Sequence, residues 1–129
     1  MLLADRHHGL AEGIRGLLEN EFPAVVMVAD ETSLLATAAK MQPALVVADL
    51  ALARGEGFGW LRRLLAQCPG TRVIVLSAHE ESVVVNEAFE AGAMGLVRKR
   101  EIATDLLAAV EAVLAGGRYS PALQRKPGA

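Results

Sequence analysis

"ALVVADLALARGEG", residues 44–57, is apolar from Ala44 to Ala48, becomes acidic at Asp49 and then reaches glycines at 55 and 57. A continuous apolar run, in place of period-two alternation, belongs to a strand covered on both faces. That implies a parallel sheet with helices on each side. The acid is the anomaly, because a carboxylate at the end of a buried strand is costly to desolvate unless it is paired or takes part in chemistry.

Working outward, four more short runs share this character: "LLA" (2–4), "AVVMVA" (24–29), "RVIVLS" (72–77) and "MGLV" (94–97). Each is followed by a helix-like stretch. Leu10, Ile14, Leu17 and Leu18 fall on one helical stripe, as do Ile102, Leu106, Val110, Val113 and Leu114. In helix four the β-branched Val83, Val84 and Val85 disfavour a helix, while Glu87, Ala88 and Glu90 favour it. Turn signals agree with these boundaries. Pro23 and Pro43 precede strands two and three, "CPGT" (68–71) precedes strand four, "AGAMG" (91–95) closes helix four and "AGGRYSP" (115–121) ends helix five. The pattern is a single doubly wound α/β domain of five βα units over residues 1–118. Residues 119–129 are expected to be a fraying tail or the start of a linker.

Composition narrows the function classes. At 129 residues and 53% hydrophobic the chain fits one domain with one core. The net charge of −2 lacks the basic excess of a nucleic-acid surface, and only the terminal "RKPGA" is locally basic. The single cysteine, Cys68, excludes an internal disulfide and reads as a small core or helix-end residue. "MLLADRHH" has no apolar signal-peptide core and no run approaches about 18 apolar residues, so the expectation is a cytoplasmic protein without a membrane span.

In a doubly wound sheet, ligands gather at the carboxyl ends of the strands where strand order reverses. Four polar residues fall there: Asp5 after strand one, Asp49 ending strand three, Ser77 ending strand four and Lys99 just past strand five. Each alone reads as a cap or turn former. Together they suit phosphoryl chemistry, with Asp49 as nucleophile, Ser77 hydrogen-bonding the phosphoryl oxygens and Lys99 offsetting charge.

From Leu2 to about Pro121 these residues resemble the response-regulator receiver domains of two-component signalling, most closely the NarL/FixJ type. "PALVVADLALARGEGFGWLRRL" is similar to the family's acceptor strand and loop, with Asp49 at the acceptor position. "RVIVLSAH" has Ser77 where the family has Thr or Ser, and "EAGAMGLVRK" looks like the turn leading to its lysine, here Lys99. "VLAGGRYSP" is similar to what precedes the linker to a helix-turn-helix domain. The resemblance implies a flavodoxin-like five-stranded parallel sheet in order 2-1-3-4-5. It also implies a histidine kinase that phosphorylates Asp49 with the help of Mg²⁺ held by Asp5 and Asp49, a homodimer, and transcription control through a DNA-binding output domain not contained in these residues. The chain is then either part of a longer regulator or a stand-alone receiver. The resemblance further implies that it acts on its own aspartate and is not an enzyme turning over a separate substrate.

Two departures qualify that expectation. The family's strand one usually ends in two acids, whereas here Asp5 is followed by Arg6. If Arg6 points inward, the pocket of Asp5, Asp49, Lys99 and Arg6 sums to about zero, against about −2 for three acids and one lysine, and Mg²⁺ binding is weakened or lost. Arg6 then stands in for the metal on Asp49 or a phosphoryl group; the other arrangement sends it into solvent with its stem over apolar surface. Leu96 falls where the family usually has Tyr or Phe, the ring whose swing accompanies activation. Both departures point to an alternative, a pseudo-receiver acting as a phosphorylation-independent interaction and dimerisation module.

Other constellations weigh less. His7 and His8 do not easily face one ion together from a helix start, and His79 lies on another loop beside Ser77, so a zinc site is not expected. "GEGFG" (55–59) lacks the lysine and hydroxyl of a P-loop and reads as a loop into helix three. No nucleophile elbow accompanies Ser77, which argues against a hydrolase. A flavin carrier of the same sheet order would need a hydroxyl-rich loop where the chain has "DRHHGL".

Overall fold

All five continuous apolar runs form strands, and each is followed by a helix. A computed structural model describes residues 1–22, 24–52, 57–78 and 82–120. Pro23, Gly55 and Glu56 of the "GEGFG" loop, His79 and the tail from 121 onward lie outside the described residues. The elements are β1 (Leu2–Ala4), α1 (His8–Leu18), β2 (Val26–Val28), α2 (Glu31–Met41), β3 (Leu45–Asp49), α3 (Gly59–Gln67), β4 (Arg72–Ser77), α4 (Ser82–Glu90), β5 (Gly95–Arg98) and α5 (Ile102–Leu114). Single 3₁₀ turns follow β3 at Leu50–Leu52 and β5 at Lys99–Glu101. All pairings are parallel and the order is β2-β1-β3-β4-β5.

The strands are apolar on both sides because neighbouring residues enter different cores. Leu2, Ala4, Val46, Ala48, Val73, Val75 and Leu96 pack on one face against Leu34, Ala38, Trp60, Leu61, Leu64 and Ala88 of α2, α3 and α4. Leu3, Leu45, Val47, Ile74, Leu76 and Val97 pack on the other against Ile14 and Leu18 of α1 and Leu106, Val110 and Val113 of α5. β2, at the edge, is shorter than "AVVMVA" suggests, and Val26 is exposed there.

Sequence periodicity overestimated two helical stripes. Leu10 is 36% and Leu114 37% exposed. On α1 the sheet meets Ala11, Ile14 and Leu18, leaving Leu10 to one side, and Leu114 is the last residue of α5. α4 forms despite its valines, since Val84 and Val85 pack against the core and Ala88 is fully buried. Asp30 caps α2 by accepting the Ser33 N–H at 2.7 Å. The turns after α4 and α5 use Gly92 at φ +112° and Gly116 at φ +95°, conformations that other residues adopt only with strain.

Residues 119 and 120, assigned above to a tail, pack on the domain. Tyr119 bridges Gly95 in parallel: its N–H donates to the Met94 carbonyl at 3.0 Å and its own carbonyl accepts from Leu96 N–H at 2.9 Å. Both residues are buried, because the chain leaving α5 covers the otherwise open edge of β5. None of the described helices is long and apolar enough to cross a membrane.

Candidate functional site

Strand order reverses between β1 and β3, and the crevice at their carboxyl ends holds the site. Asp5 is the first residue after β1 and Asp49 the last of β3, with 2% and 1% of their surface exposed. The neighbours of each strand wall them in. Local backbone donors hold one oxygen of each: Asp5 Oδ1 accepts the His7 N–H at 2.8 Å and Asp49 Oδ1 accepts the Ala51 N–H at 3.1 Å. These turns fix both carboxylates so that their second oxygens face a common point.

Lys99, in the turn after β5, reaches that point. Its Nζ lies 3.0 Å from Asp49 Oδ2 and 3.9 Å from Asp5 Oδ2. The ammonium sits at ion-pair distance but outside hydrogen-bonding alignment, so both Oδ2 atoms are buried without a hydrogen bond among the described residues. Ser77 is fully buried at the end of β4, opposite Arg98 in the ladder. Together with Ala78, Arg98, Lys99 and Arg100 it lines a cleft of about 190 Å³. The structure thus gathers Asp5, Asp49 and Lys99 in contact, with Ser77 on the adjoining strand end. Such a pocket presents one nucleophilic carboxylate, a second acid and a cation to an incoming anionic group.

Arg6 does not enter this pocket. Its side chain is exposed, and its guanidinium donates to the Ala51 carbonyl at 3.4 Å, a long bond at the rim. The inward arrangement of Arg6, and the neutralised pocket that follows from it, is therefore corrected. The charges that face one another are Asp5, Asp49 and Lys99, a net of about −1.

The residue that sequence reasoning passed over is His7. Its Nδ1 lies 3.2 Å from Asp5 Oδ1 and 3.8 Å from Asp49 Oδ2. Asp5, His7 and Asp49 each offer a ligand atom, all within 4.8 Å of one another. The available signal was its place two residues after a strand-end acid, where the chain turns back over the carboxylate. Weighing it only as a pair with His8 hid that signal.

The donor set can hold a divalent ion. Two buried carboxylate oxygens lacking hydrogen bonds supply hard ligands of the kind that Mg²⁺ uses. Asp5 and Asp49 would hold it, with His7 beside them.

Known proteins share the fold. Residues 1–111 match the family model described as the response regulator receiver domain. The transcriptional regulatory protein DegU of Brevibacillus brevis is 29% identical over 121 residues, covering 92% of this chain and 51% of that protein. The transcriptional activator protein ExaE of Pseudomonas putida is 34% identical over 127 residues, covering 92% and 56%. The chain thus spans a little over half the length of these curated relatives. Among solved structures, a two-component response regulator of the LuxR family from Aurantimonas sp. SI85-9A1 superposes with a TM-score of 0.84 at 32% identity, covering 98% of this chain and 93% of that one.

Proposed function

This chain belongs to the response regulator receiver family, related to transcriptional regulators of two-component systems, and from that premise we propose that it accepts a phosphoryl group on Asp49 from a histidine kinase. One observation carries this reading: Asp49 is buried at the end of the central strand with Lys99 Nζ 3.0 Å away, and Arg6 leaves it unencumbered.

In the proposed step the Asp49 carboxylate attacks the phosphorus of the donor phosphohistidine. The P–N bond breaks, the imidazole leaves with its electron pair, and an acyl phosphate forms on Asp49. Lys99 offsets the charge on the transferred group, and Ser77 hydrogen-bonds one of its oxygens. A divalent ion held by Asp5 and Asp49 supplies further charge neutralisation when bound. The reaction is with the chain's own side chain, so no separate substrate is turned over. The signal then passes through homodimerisation to a DNA-binding output domain outside these residues.

A second reading is a phosphorylation-independent interaction and dimerisation module. Leu96 favours it: the side chain is fully buried in the core beside α4, and it has no ring to swing.

Intact mass after incubation with acetyl phosphate and a divalent ion decides between the two. A metal-dependent phosphoryl adduct on the native chain and on Arg6→Ala, but not on Asp49→Asn, is expected. No adduct on the native chain under any divalent ion would overturn the acceptor reading and support the module.

A further inference from the structure

We propose that Asp5, His7 and Asp49 form a mixed oxygen and nitrogen site for a first-row transition-metal dication, bound in preference to Mg²⁺, with His7 Nδ1 as a direct ligand. The inference rests on the pocket of the acceptor reading but not on phosphate transfer.

The three groups stand at the spacing of ligands to one ion, and the His7 Nδ1–Asp5 Oδ1 contact is at hydrogen-bond distance as well. With metal–ligand bonds of about 2.0–2.2 Å, two ligands subtending 90–110° at the metal lie about 2.8–3.6 Å apart. His7 Nδ1 stands 3.2 Å from Asp5 Oδ1 and 3.8 Å from Asp49 Oδ2, at or slightly beyond that spacing. Independently, Asp5 Oδ2, on a side chain with no exposed surface, lacks a hydrogen bond among the described residues, and the nearest cation is 3.9 Å away. A buried carboxylate oxygen left in that condition costs free energy that an ion would recover. The His7 imidazole is 59% exposed, which leaves an open side through which an ion and its remaining waters can enter.

The chemistry of the set decides which ion. Mg²⁺ takes oxygen ligands in near-octahedral geometry and gains little from an imidazole. Zn²⁺, Co²⁺ and Mn²⁺ accept nitrogen alongside carboxylate, with affinities rising from Mn²⁺ to Co²⁺ and on towards the end of the row. At the position that follows Asp5 the chain offers Arg6, directed to the rim, so the third ligand available to the pocket is the nitrogen of His7. The backbone bond from His7 N–H to Asp5 Oδ1 ties this ligand to the first acid, so that orienting one orients the other.

The test is metal titration of tag-free protein without any phosphoryl donor. Calorimetry with Mg²⁺, Co²⁺ and Zn²⁺ is combined with the visible spectrum of bound Co²⁺. Co²⁺ and Zn²⁺ are expected to bind at least about tenfold more tightly than Mg²⁺. His7→Gln, at an exposed side chain, is expected to lose at least about tenfold of the Co²⁺ affinity and leave Mg²⁺ unchanged; His7→Asp should reverse the preference. A second readout needs no substitution: on the native chain, substoichiometric Mn²⁺ should broaden the His7 imidazole proton resonances. Equal affinity for Mg²⁺ and Co²⁺, unchanged Co²⁺ binding in His7→Gln, or unbroadened His7 resonances would each overturn the proposal. Tight Co²⁺ binding through His7 without an acetyl-phosphate adduct would overturn the acceptor reading alone. An adduct formed with Mg²⁺, together with unchanged Co²⁺ binding in His7→Gln, would overturn this one alone.

Discussion

Among the described residues, Lys99 is the one lysine or arginine at ion-pair distance from the two buried carboxylates, and their tolerance of each other depends on it. Removing one partner of a buried pair leaves an uncompensated charge, so Lys99→Met should lower stability by about 3 kcal/mol. Urea denaturation in the presence of a chelator reads this directly. The double variant Lys99→Met/Asp5→Asn should recover part of the loss, because it relieves the repulsion between Asp5 and Asp49. Lys99→Met with unchanged stability would mean that Lys99 does not offset the charge of the two acids. Arg6, by contrast, makes one long bond at the rim among the described residues, and that contact gives no reason for Arg6→Ala to move stability by more than about 0.5 kcal/mol. The same logic explains why the acids are legible in sequence while their neighbours are not. A carboxylate at the end of an apolar strand has one place to go, whereas Arg6 and His7, in the turn, each have several.

At the scale of elements, two turns set the position of β5 and therefore of Lys99. Gly92 connects α4 to β5 at φ +112°, and a Cβ there would overlap Leu65 Cδ1. Gly92→Ala combines backbone strain with this clash and should cost about 2 kcal/mol or more, seen as a lowered urea midpoint with unchanged slope. On the other side of β5, Tyr119 seals the strand edge. Burial, reinforced by the neighbouring Asp105 carboxylate that accepts its hydroxyl, pushes the Tyr119 phenol up to about 12. The folded-state value lies above the unfolded value of about 10. The stabilisation is therefore complete below pH 10 and is lost as pH rises towards 12. Tyr119 is the sole tyrosine, so ultraviolet titration reads it without overlap. It should ionise near pH 12 in the folded chain and near pH 10 in urea. Titration near 10 in both would show that the segment after α5 does not stay docked on β5. Tyr119→Phe should flatten this part of the stability profile.

For the whole molecule, the strands tie two cores into one unit. Trp60, the sole tryptophan, lies in the core under α2, α3 and α4; Tyr119 lies in the core under α1 and α5. Adjacent residues of each strand serve opposite cores, so neither core can persist when the sheet separates. Urea transitions followed by Trp60 fluorescence and by Tyr119 absorbance are expected to coincide, and two separate midpoints would show that the cores unfold independently. The sequence by itself determined the doubly wound sheet, because strands covered on both faces must be apolar at every position, a pattern that needs no partner to be read. It also determined Asp5, Asp49, Ser77 and Lys99 as strand-end residues, since chain position alone puts them on one edge. Only the tertiary structure decided that Arg6 turns to the rim while the His7 ring lies against the two acids, that Leu10 and Leu114 stay at the surface, and that Tyr119 belongs to the domain. Each of those depends on which neighbour, distant in sequence, occupies the space beside the residue. Local periodicity carries no information about that neighbour.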